Sequence, residues 1–172
     1  ARTAVLGSAV REPTPDELER MKAAMDSAME AGVLGMTTAL IYPPGSYATT
    51  DELATVASAM SPYGGIYASH VGGEGKELVA SVREAIEIGE RAGVPVEIFH
   101  FKAAFQPGWG TLIRQAIDTV NAARARGVDV AADLYPYTAA GTGLEATIPS
   151  WAFEGGNDSL RARLANPETR AL

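Results

Sequence analysis

Two hydrophobic periods take turns along the chain. Stretches in which apolar residues recur at helical spacing are followed by short, continuously apolar or β-branched runs. The first helical stretch covers roughly residues 15–31. Thr14 or Asp16 can cap it, Pro13 and Pro15 mark its start and Gly32 stops it. A strand follows over 33–41. The second helix is predicted over 50–59, with Thr and Asp at its head. Pro62 and Gly64-Gly65 break it, and 65–69 reads as a strand. The third covers 76–92, with Leu78, Val82, Ala85, Ile86 and Gly89 on one face. Gly93 ends it before a buried strand at 94–99. The fourth covers 111–126, its buried stripe formed by Ile113, Ala116, Ile117 and Val120. Arginines sit near its carboxyl end, where the helix dipole favours them, and a strand follows Gly127 over 128–132. A last short helix is predicted at 158–164.

The strands begin about 31 to 33 residues apart. Helices alternating with short apolar strands imply an α/β fold with a parallel sheet covered by helices. The even step is that of a TIM-type (β/α)8 barrel. Eight units need about 250 residues, so about four βα units are expected here, as a single partial-barrel domain over 1–172. A doubly wound open sheet is the rival. Its phosphate fingerprint is missing, because Gly72-Gly73-Glu74-Gly75 fits neither G-x-G-x-x-G nor the P-loop. Half a barrel would leave two open edges and an uncovered inner face, for which Val96, Ile98 and Val130 are the expected apolar residues. Self-association is the expected consequence.

Charge and composition narrow the function. The net charge is -7, which argues against nucleic acid and offers no basic face to an anionic membrane. With no cysteine, disulfides, thiolate metal sites and cysteine nucleophiles are excluded within these residues, and a cytoplasmic location is expected. No apolar run approaches the roughly 20 residues needed to span a bilayer. Residues 1–10 include Arg2 and a mildly apolar stretch, too short and weak for a signal peptide. The chain begins without methionine, and trimming at that end is expected.

In a parallel barrel, chemistry sits at the carboxyl ends of the strands. Tyr42 follows the first strand, His70 the second, His100 and Lys102 the third, and Asp133, Tyr135 and Tyr137 the fourth. A lone histidine is more often a hydrogen-bonded structural residue than a ligand. Both histidines of this chain, however, fall at successive strand ends, and strands about 4.8 Å apart let two imidazoles reach one metal. Lys102 would share the face of His100 in an extended strand, where it either pairs with a substrate carboxylate or is an ordinary surface lysine. Asp133 could complete a two-histidine, one-carboxylate site, though capping a nearby turn is the favoured reading. Tyr135 and Tyr137 could equally pack at a rim. Trp109 and Trp151 are expected to cover apolar edges. Ser69 lacks the glycine pattern of a nucleophile elbow.

Five segments carry a resemblance. They are Leu40-Ile41-Tyr42-Pro43-Pro44-Gly45, Gly64-Gly65-Ile66-Tyr67-Ala68-Ser69-His70, Glu97-Ile98-Phe99-His100-Phe101-Lys102, Ala132-Asp133-Leu134-Tyr135-Pro136-Tyr137-Thr138 and Ile148-Pro149-Ser150-Trp151. In order and spacing they resemble the D-aminoacylase (N-acyl-D-amino-acid deacylase) family of the amidohydrolase superfamily. The resemblance implies an internal segment of a zinc-dependent hydrolase of N-acyl-D-amino acids, holding one or two zinc ions when complete. It implies His70 and His100 as metal ligands and Tyr42, Lys102 and one of Tyr135 and Tyr137 as substrate-binding residues. It implies no catalytic residue within the chain: the family's His-x-His pair and bridging ligand would precede Ala1 and its catalytic aspartate would follow Leu172, so the isolated chain is expected to be inactive. One departure stands out. The family's His-Met-Arg-x-Glu-Gly reads His70-Val71-Gly72-Gly73-Glu74-Gly75 here, without the arginine. Rival expectations are a non-catalytic scaffold or binding module derived from a barrel, and another hydrolase of the superfamily, such as one acting on cyclic amides.

Overall fold

The computed structural model describes residues 1–171. Along them run α1 (Arg2–Leu6), α2 (Pro15–Glu30), β1 (Gly35–Ala39), α3 (Thr50–Ala57), β2 (Ile66–His70), α4 (Leu78–Ala92), β3 (Val96–Ile98), α5 (Leu112–Ala125), β4 (Val130–Ala132), α6 (Asn157–Ala165) and α7 (Pro167–Arg170). The four strands of this sheet lie in the order β1-β2-β3-β4, and every neighbouring pair is parallel. The order never reverses, so the sheet has no switch point of the doubly wound kind.

Local chemistry accounts for the helix boundaries. Thr14, rather than Asp16, caps α2: its hydroxyl accepts the Glu17 N–H while the Glu17 carboxylate accepts the Thr14 N–H at 2.8 Å, a reciprocal capping box. Thr49 caps α3 through the Glu52 N–H, and Pro62 falls in the 3-10 turn Ser58–Tyr63 that ends this unit. At the end of α4 the chain turns left-handed at Gly93 with φ 69°, a conformation that strains residues with a Cβ.

The strands are shorter than the apolar runs that predict them. Leu34 precedes β1 and is 85% exposed. The pairing nevertheless reaches one residue past the strand ends, as where Leu40 N–H donates to His70 O at 3.0 Å. Residues 2–6, read from sequence only as a weak apolar stretch, form α1. Leu6 packs against Met21 and Val56, and Arg2 pairs with the buried Glu52.

Register sorts the strand residues onto two faces. Tyr67, Val96 and Val130 stand side by side, as do Ser69 and Ile98, and all five are buried. Tyr67, Val96, Ile98 and Val130 form one core with Leu78, Val82, Ala85 and Ile86 of α4 and Ala116, Val120 and Ala123 of α5. Beneath the helices the Tyr67 and Ser69 hydroxyls both meet Thr38 Oγ1, at 2.8 and 3.1 Å, which satisfies these buried polar groups. Thr37, Ala68, Glu97 and Ala131 share the opposite face, as do Ala39 and His70. The expectation that Val96, Ile98 and Val130 line an uncovered face is therefore wrong. They occupy the alternate positions, under the helices, and the other face carries small and polar residues.

Candidate metal centre

His70 closes β2, and its side chain lies on the face away from the helices. His100 comes two residues after Ile98, so strict alternation would turn it toward the helices instead. The backbone breaks the alternation. His100 has φ 40°, the one positive value outside glycine among the described residues. The Asp133 carboxylate holds this bend by accepting the His100 N–H at 2.6 Å. The turn brings the two imidazoles together, with ring centroids 4.4 Å apart and His70 Nδ1 2.7 Å from His100 Nε2.

A carboxylate that sequence reasoning missed completes the cluster. Glu74 lies four residues after His70 in a glycine-rich loop, and its Oε1 is 2.9 Å from His100 Nδ1. The Ala104 N–H donates to the Glu74 carbonyl at 2.8 Å, tying this loop to the one after His100. Ligand-type atoms of His70, Glu74 and His100 all lie within 4.8 Å of one another, close enough to surround a single ion. The signal was in the chain: Glu74 keeps the glutamate of the His-Met-Arg-x-Glu-Gly pattern even though the arginine is replaced by Gly72. Asp133, weighed from sequence as the possible third ligand, instead braces the backbone of the neighbouring strand end.

Burial, with the charges of His100 and Lys102, holds the His70 imidazole below its usual pKa, and Glu74 opposes them. His70 is thus neutral near pH 7, the form that binds metals. Its Nε2 is buried and has no hydrogen-bond partner among the described residues. Two imidazole nitrogens suit a borderline divalent ion such as zinc, and the Glu74 carboxylate adds negative charge beside them.

The other sequence-predicted residues surround the same cavity of about 590 Å³, which is lined by Tyr42, His70, Glu74, His100, Lys102, Tyr135 and Tyr137, among others. Lys102 Nζ contacts Glu74 Oε1, lies 3.1 Å from His100 Nδ1 and sits 5.4 Å from the Tyr135 ring centre. The Tyr42 ring is 5.6 Å from that of His70, and its hydroxyl meets Thr142 Oγ1. Tyr137 is 75% exposed, and its ring centre lies 6.3 Å from that of Tyr135. Trp109 and Trp151 are both exposed, and Trp109 is anchored by its indole N–H to Ala103 O at 2.9 Å. Ser69 is fully buried and bonded to Thr38, as a structural hydroxyl would be. A larger cavity, about 780 Å³, lies between α4 and α5, away from both histidines.

No protein-family model matches the chain. It is 40% identical over 144 residues to the D-aminoacylase of Alcaligenes xylosoxydans xylosoxydans, a match covering 84% of this chain and 29% of that protein. A D-aminoacylase crystal structure, described as defining a subset of amidohydrolases, superposes with a TM-score of 0.74 at 36% identity and covers 79% of this chain and 28% of its own. An N-acyl-D-glutamate deacylase from Bordetella bronchiseptica, complexed with zinc and a phosphonate inhibitor, gives a TM-score of 0.75 at 32% identity with the same coverage. A D-hydantoinase, at 14% identity and a TM-score of 0.51, shares the fold alone. The chain spans under a third of the length of the deacylases it matches. By sequence and by backbone, it is homologous to a segment of the D-aminoacylases and N-acyl-D-amino-acid deacylases.

Proposed function

We propose that this chain is the segment of a zinc-dependent N-acyl-D-amino-acid deacylase that carries two of its metal ligands, and that its sheet is about half of a (β/α)8 barrel. Strands that start 31, 30 and 34 residues apart and pair strictly in order support the barrel. The observation that carries the function is the convergence of His70 and His100 at neighbouring strand ends, beside Lys102 and Tyr135. The relatives named D-aminoacylase and the zinc-complexed deacylase supply the substrate class and the metal.

His70 and His100 would hold zinc, with one or two ions in the complete protein. Zinc supplies Lewis acidity, which polarises an amide carbonyl and acidifies water. Lys102 offers an ammonium to the substrate's carboxylate, and Tyr42 and Tyr135 line the space beside it. Tyr137 is a weaker candidate, being mostly exposed. The complete protein tests this reading through bound zinc and deacylase kinetics. His70→Ala and His100→Ala should lose zinc and turnover together. Lys102→Ala should keep zinc and chiefly raise KM, because an ammonium on a distant carboxylate acts on ground and transition states alike. Stoichiometric zinc and normal turnover in both histidine variants would refute the assignment, and a zinc-free wild type would favour a scaffold.

A further inference from the structure

We infer that Glu74 is a positioning residue that sets the proton on His100, so that His100 Nε2 faces His70 as a bare lone pair. The inference rests on the metal reading for its purpose but on hydrogen-bond geometry for its content. A neutral imidazole carries one N–H, on either nitrogen. Glu74 Oε1 lies 2.9 Å from His100 Nδ1. If Nδ1 were bare, two lone pairs would face each other at that distance. With the proton on Nδ1, the contact becomes a charge-assisted hydrogen bond. Nε2 is then free to accept from His70 Nδ1–H at 2.7 Å. The chain of bonds runs from His70 through His100 to Glu74, and a shift of the His70 proton from Nδ1 to its own Nε2 would leave both facing nitrogens bare toward one ion.

Lys102 completes the arrangement. An ammonium only donates. Its contacts are Glu74 Oε1 and the His100 carbonyl at 3.3 Å, so its charge offsets that of the carboxylate in a partly buried site. The bond between Ala104 N–H and the Glu74 carbonyl fixes the loop that carries the carboxylate. Metal-binding histidines commonly give their outer N–H to a carboxylate in this manner, and loss of such a partner weakens metal binding by about 10- to 100-fold. The rival is a bare His100 Nδ1 accepting from Lys102 Nζ at 3.1 Å, with Lys102 bridging it to Glu74.

Long-range proton–nitrogen NMR on the metal-free 172-residue chain, labelled with 15N-histidine, decides between them. The spectra should be followed to alkaline pH until the ring signals no longer change, where each ring carries a single N–H. The wild-type His100 signals should be pyrrole-like at Nδ1 and pyridine-like at Nε2. Glu74→Leu should shift His100 toward the Nε2–H tautomer. Glu74→Gln, which keeps an acceptor oxygen, should preserve the Nδ1–H form. A wild-type Nε2–H tautomer overturns the inference even if the leucine variant fails to fold, and so does a well-folded leucine variant with an unchanged tautomer. Zinc content of the complete protein separates the two readings. The expected tautomers in the 172-residue chain together with a zinc-free complete protein would uphold Glu74 and count against the metal assignment alone.

Discussion

The two faces of the sheet are built to opposite specifications by the same four short strands. Toward the helices stand Tyr67, Val96, Ile98 and Val130, each at most 2% exposed and locked into the core of α4 and α5. Toward the other side stand Thr37, Ala39, Glu97 and Ala131, small or polar and at least partly exposed, with His70 at the head of that row. One face supplies stability and the other supplies a floor beneath the imidazoles. The cluster's chemistry is thus carried by residues on which the fold leans little.

Substitutions can break or sharpen that contrast. The largest loss should come from Ile98→Ala, which empties a fully buried site under α4 and should destabilise by about 2–5 kcal/mol in denaturant unfolding. Gly89→Ala attacks the same face from the helix side: a Cβ there would run into Val96 Cγ2, and such overpacking should remove about 1–3 kcal/mol. A loss for Ile98→Ala well under 1 kcal/mol would contradict the assignment of faces.

On the opposite face the sign should reverse. Burial, then the nearby Asp133 charge, raises the Glu97 carboxyl pKa above its ordinary 4.5. A carboxyl raised in the folded state penalises folding once ionised, and the penalty is absent below pH 4.5 and complete above the raised value. Glu97→Gln should therefore melt slightly higher than the wild type at neutral pH and match it in acid. Equal melting temperatures at every pH would remove the contrast at this position.

The smallest effect should come from a control off the sheet. Glu17 is drawn down to about 2 by Arg11 and by the Thr14 N–H. A depressed carboxyl stabilises above its unfolded value and loses that contribution as pH falls through its folded one. Glu17→Gln should thus be slightly less stable than the wild type above about pH 4.5, and the two should converge toward pH 2. Thermal scans across that range would read it.

The helices, their caps and the strand order were legible because each rests on a local rule. Periodicity places Leu78, Val82, Ala85 and Ile86 in the core, and glycines at 32, 93 and 127 punctuate the units. What sequence reasoning assigned wrongly was the face of Val96, Ile98 and Val130. A continuous apolar run such as Val94 to Phe99 does not say which alternate residues meet the helices. The positions of His70 and His100 at strand ends were readable too, but their meeting was not a matter of alternation. It depends on a left-handed residue held by Asp133, and on Glu74 doubling back from a loop. Neither a positive φ at histidine nor a loop's return path has a periodic signature.

The strictly sequential strand order has a bearing on how the chain comes to be folded. Each strand pairs with the next one along, so the three pairings close loops of nearly equal length. Loop-closure entropy rises only with the logarithm of that length, and none of the pairings must wait for a distant partner. The sheet can grow one βα unit at a time as the chain emerges from the ribosome, each new strand finding its template already in place.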